Sequence, residues 1–178
     1  MTDDPYPKVE SWRLADRVVP ATWDALRAAD GREAGVLWLG DRGAEAIVTA
    51  VVRLHGVGVE EGRGHFEAAP EVLGAVTRWA KPGGLTLLAS CHAHPRGIPG
   101  RLSDWDRRHG FVVPEFLSLV AGDGGGDDPS RWGWYVFDRR SADYRLMDKR
   151  ERHDRVLIDG TIASAVFVGD ARGVQPWP

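Results

Sequence analysis

Between Glu33 and Gly40 the chain reads Glu-Ala-Gly-Val-Leu-Trp-Leu-Gly, a run too short and too apolar for a surface helix. It reads as a buried strand that ends in a turn at Gly40-Asp41. Leu85 to Ser90 has the same character, running into Cys91-His92-Ala93-His94 and stopping at Pro95. Glu45 to Leu54, with Ile47, Val48, Val51 and Val52, is a third strand. Helical patterns lie between these runs. One opens at Val19-Pro20-Ala21-Thr22, puts Trp23 and Leu26 on one face, and meets a stop signal at Gly31. A second covers Glu67 to Ala80, with Val72, Val76 and Trp79 recurring, and ends at Lys81-Pro82-Gly83-Gly84. Trp134 to Asp138 and Tyr144 to Met147 read as a hairpin.

The remaining segments carry weaker patterns. Residues 1–18 form a polar N-terminal lead without a period, and Gly56 to His65 reads as a loop. Ser103 to His109 is a short helix, and Phe111 to Val120 a strand or mixed segment. Residues 121–133, rich in Gly and Asp, are expected to be a flexible loop. Val156 to Ile158 and Ile162 to Val168 are either strands or one short helix. No repeat and no domain boundary interrupts the chain. Helices interspersed with strands predict a single α/β (α+β) domain with a mixed sheet flanked by helices.

Composition narrows the function. The 178 residues suffice for one compact core. A net charge of -3 gives no reason to expect nucleic acid or an anionic membrane as partner. No apolar run approaches the roughly 20 residues of a membrane span. The opening Met1-Thr2-Asp3-Asp4-Pro5 is acidic and does not read as a secretory signal. Cys91, the only cysteine, rules out an intrachain disulfide, so a reducing cytoplasm is the expectation. The Arg-over-Lys and Ala/Gly bias suggests a bacterial coding sequence.

The segment from His92 to Asp106 carries the chemistry. On a strand His92 and His94 share a face, with Cα atoms about 6.5–7 Å apart, a spacing from which two imidazoles can converge on one ion. Cys91 and Ala93 then point to the other face, which makes Cys91 a core residue rather than a nucleophile. Gly97, Pro99 and Gly100 can turn the chain back. Ser103 and Asp106 lie one helical turn apart on one side. Two His nitrogens and one Asp oxygen leave a tetrahedral zinc site open at its fourth position, the arrangement of catalytic rather than structural zinc.

The combination of an upstream Glu, His-x-His followed by Pro, and Ser-x-x-Asp resembles the JAB/JAMM metalloproteases, the MPN-domain family, in its prokaryotic branch. Glu33-Ala34-Gly35-Val36-Leu37-Trp38-Leu39-Gly40 matches that family's Glu-bearing strand, and the order of elements agrees over roughly residues 20–140. Eight residues separate His94 from Ser103, one more than the family's usual seven. The resemblance implies one zinc per chain on His92, His94 and Asp106. It implies Glu33 as general base and Ser103 as donor to the oxyanion. It further implies cleavage of peptide or isopeptide bonds after the C-terminus of a ubiquitin-like protein, whose gene can lie beside E1-like and E2-like genes. Processing of a small sulfur-carrier adduct is the alternative substrate. A non-catalytic MPN scaffold is the alternative of another class, although scaffolds usually lack one of these residues. Trp105, turned outward if Asp106 faces the metal, can line a substrate groove.

Overall fold

The computed structural model describes residues 8–126 and 128–177. Its centre is β2 (Gly35–Asp41), paired antiparallel with β3 (Glu45–Leu54) on one side and β6 (Thr86–Ala93) on the other. Six of the seven β2 residues are buried. The alternation explains why the run is apolar throughout. Val36 and Trp38 face the core under α1 (Val18–Arg27), while Leu37 and Leu39 face α2 (Pro70–Ala80). Both faces of the strand are covered, so neither has room for polar side chains. The one polar atom that Trp38 buries is satisfied, since its Nε1–H donates to Thr22 Oγ at 2.7 Å.

The sheet extends outward from this pair. Beyond β6 lie β7 (Leu117–Ala121), β8 (Gly133–Asp138) and β9 (Asp143–Leu146); the last two are the expected hairpin. Beyond β3 lie β1 (Ser11–Ala15) and β10 (Val156–Asp159), both parallel to their neighbours. β11 (Ala165–Asp170) pairs with the second half of β3 and, antiparallel, with β12 (Gly173–Pro176). The result is one mixed ten-stranded sheet with helices on its faces, in a single domain.

Three segments differ from the sequence reading. The lead over 1–18 contains β1, with Trp12 and Leu14 fully buried; residues 1–7 of that lead lie outside the described residues. The loop over 56–65 and the first residues assigned to the second helix form a small hairpin, β4 (Val59–Glu61) and β5 (Phe66–Ala68). Pro70 explains the late start of α2: it fits the first helical position and disfavours helical geometry at Ala69. In the tail, an entirely polar α4 (Lys149–Arg155) precedes three strands. Its last residue ties α4 to the segment that leads into β1. Arg155 donates to the carbonyls of Val9 and Glu10 and lies over the Trp12 ring at 4.5 Å. Among the described residues no helix is long and apolar enough to cross a membrane.

Candidate metal centre

β6 is held between β2 and β7; His92 lies at its end and His94 directly follows its last residue, Ala93. His92 lies opposite Gly35 on β2 and beside Val120 on β7. Cys91 and Ala93 point into the core under α1, as alternation requires, and burial pushes the Cys91 thiol far up. His92 and His94 therefore share the opposite face, with ring centroids 5.1 Å apart. His94 is anchored twice. Its backbone N–H donates to Ala121 O at 2.8 Å, and its Nδ1 meets the Pro99 carbonyl at 3.2 Å. The second contact fixes the ring so that Nε2 faces Asp106.

Asp106 comes from α3 (Asp104–His109). Ser103 caps this helix. Asp106 N–H donates to Ser103 Oγ at 3.1 Å, and the Ser103 backbone N–H and hydroxyl both donate to Asp106 Oδ2 at 2.7 Å. The box thus aims the carboxylate as well as starting the helix. Asp106 Oδ1 lies 3.3 Å from His92 Nε2, and Oδ2 lies 3.3 Å from His94 Nε2. One ligand atom from each of the three residues falls within 4.8 Å of the others. This group could hold a metal ion. His92 Nε2 supports that reading directly. It is buried and makes no well-aligned hydrogen bond among the described residues, its polar neighbour being the Asp106 carboxylate at 3.3 Å. A cation at the centre of the cluster would engage that nitrogen.

The electrostatics agree. Burial works to raise the Asp106 pKa, but the two histidines and the Ser103 hydroxyl outweigh it and hold the carboxyl far below the usual range. The Asp106 hydrogen bond raises His94 against the opposing effect of burial. Glu33 shifts upward, chiefly by burial and partly offset by His92 and His94. A carboxyl moved toward neutrality is suited to taking and returning a proton.

Glu33 reaches this face through the register of β2. Ala93 N–H donates to Ala34 O at 3.0 Å, and Gly35 pairs with His92, so Glu33 falls across from His94. Cross-strand neighbours share a face. The hairpin β4–β5 supports it, since Glu33 N–H donates to Gly62 O at 2.7 Å. The same hairpin carries Phe66, which the sequence reading assigned to no element. A Cβ on Gly35 would lie 2.3 Å from Phe66 Cζ, so the ring covers the bare backbone beside His92.

The long loop between His94 and Ser103 is well accommodated. Ile98 N–H donates to Pro95 O at 3.0 Å, with Gly97 at φ +78°, as the third position of such a turn demands. Gly100 sits so close to Val120 that an added Cβ would meet its carbonyl oxygen at 2.3 Å. Trp105 is 64 % exposed and stacks on His109 at 3.8 Å. His109, His55, His65 and His153 are not part of the His92–His94–Asp106 group.

The family described as prokaryotic homologs of the JAB domain matches residues 16–143. Among solved structures, protein DSY2949 from Desulfitobacterium hafniense is similar in fold. It is 19 % identical, with a TM-score of 0.63 over 85 % of this chain and 94 % of that one. No curated protein matches the chain.

Proposed function

From the premise that the chain belongs to the prokaryotic homologs of the JAB domain, we propose that it is a zinc-dependent peptidase or isopeptidase. Its substrate on this reading is a ubiquitin-like protein or its conjugate, cut after the C-terminus. The observation that carries the reading is the convergence of His92, His94 and Asp106, with one ligand atom from each within 4.8 Å of the others. One zinc per chain would be held by those three residues, where it would supply a Lewis acid that polarises a carbonyl and acidifies water.

The chain's own groups do the proton work. Glu33 accepts the proton that water loses as its oxygen attacks the scissile carbonyl carbon. It then returns that proton to the leaving amine as the C–N bond breaks. Ser103 turns its hydroxyl from Asp106 to the oxyanion that develops on the former carbonyl. Glu33 precedes β2 directly and is close enough to His92 and His94 for their charges to act on its carboxyl.

The test begins with metal analysis of purified protein. One equivalent of zinc is expected, and His92→Ala should not retain it. Glu33→Gln should keep zinc and fold while hydrolysis of a ubiquitin-like fusion falls by on the order of 10²–10⁴. Loss of zinc in Glu33→Gln would make Glu33 a ligand instead. Activity near wild type would falsify the assignment of the base. Release of a small adduct from a sulfur carrier, without action on protein conjugates, would move the substrate to that class. Genes for E1-like and E2-like proteins beside this one would favour deconjugation.

A further inference from the structure

We propose that Asp123 is a positioning residue for the metal centre, acting through the turn that carries His94. The segment 121–126, rich in glycine, grips that turn at three points. Asp123 N–H donates to Ile98 O at 2.9 Å, Asp123 Oδ1 accepts from Gly97 N–H at 3.0 Å, and Gly124 N–H donates to His94 O at 2.7 Å. With the carbonyls of His94 and Ile98 engaged in this way, the Pro99 carbonyl is the one presented to His94 Nδ1.

The grip has a firm backing. Gly124 and Gly125 are buried, with φ of +65° and +77°. A Cβ on Gly124 would lie 2.8 Å from Gly31 Cα, and one on Gly125 would lie 2.9 Å from Leu26 Cβ. The segment is therefore wedged between the end of α1 and the 95–99 turn. Asp123 itself adopts φ +52°, a conformation that Asp tolerates better than most side chains. Its carboxylate closes the wedge onto Gly97. A residue more than twenty positions beyond the histidines thereby sets which way the His94 ring faces. Partners of this kind, which orient a metal-binding histidine through its other nitrogen, typically change metal affinity by 10–100-fold.

The proposal rests on the metal reading above for its zinc readout, so a second readout on metal-free protein separates the two. In histidine-¹⁵N-labelled wild type, the His94 Nδ1–H signal should be protected from exchange by the Pro99 carbonyl. Asp123→Ala should lose that protection. Asp123→Asn, which keeps an Oδ1 acceptor for Gly97 N–H, should restore it. Zinc competition against a chromophoric chelator should show roughly tenfold weaker binding for Asp123→Ala, with Asp123→Asn close to wild type. An Asp123→Ala protein with unchanged Nδ1–H protection and unchanged zinc affinity overturns the proposal, even if it melts earlier. A wild type that takes up no zinc overturns the metal reading alone, because the exchange result still decides the role of Asp123.

Discussion

The two sources of the candidate metal ligands are built by opposite means. His92 comes from a strand paired on both sides and His94 directly follows it, its N–H on Ala121 O, with Cys91 and Ala93 buried beneath them. Asp106 comes from a six-residue helix without a single buried residue. The strand needs no special device, because sheet register and core packing already fix it. The helix is too short to hold itself, so it relies on the Ser103 capping box and on Arg107, which donates to Tyr144 O at 2.7 Å and Asp143 Oδ1 at 3.0 Å. Damage to the sheet side should therefore act on the whole fold, and damage to the helix side on the site.

The largest effect is expected from Trp38→Ala, which empties a fully buried position between α1 and the sheet. Denaturant titration should show a loss of about 3–5 kcal/mol. A loss below 1 kcal/mol would mean that the strand does not depend on the core in the way described.

Ser103→Ala sharpens the contrast. Stability should fall by only about 1 kcal/mol, the ordinary cost of an N-cap. Zinc should be retained, and turnover should slow by up to about 10²-fold as an oxyanion donor is removed. Equal turnover in variant and wild type would leave Ser103 as a cap and an aligner of Asp106.

The smallest effect belongs to Arg107→Ala, whose partly exposed ion pair with Asp143 and hydrogen bond to Tyr144 O contribute a few tenths to about 1 kcal/mol. It should show in the melting temperature and leave zinc stoichiometry at one. A variant that lost its zinc would place the anchoring of α3 on Arg107 rather than on the cap.

Much of the sheet side was legible because both of its faces are buried, and a strand covered twice announces itself as an apolar run. β1 escaped notice for the complementary reason. Its alternation is short, with Arg13 on the less buried side between Trp12 and Leu14, so no apolar run marks it, and the Arg13 guanidinium meets Glu45 at 2.8 Å and Asp159 at 3.2 Å. α4 has no buried residue at all, so no hydrophobic period could reveal it. At the site, Glu33 is singled out only by the family resemblance, while His92, His94 and Asp106 stand out by type and spacing. Phe66 and Asp123 do not. Each touches a distant stretch of backbone, Phe66 over Gly35 and Asp123 on Gly97 and Ile98, and such contacts leave no local pattern.

The pairing of β1 with β10 sets the order in which this molecule can be completed. Trp12 lies beside Val156 in that register, and Arg155 reaches back to Val9. β1 precedes β2 to β9 in the chain, yet its outer neighbour β10 follows all of them. Closing so long a loop is slow and entropically costly. His92, His94 and Asp106 all precede β10 in the chain, so the residues of the candidate metal centre are made before the strand that closes this edge of the sheet.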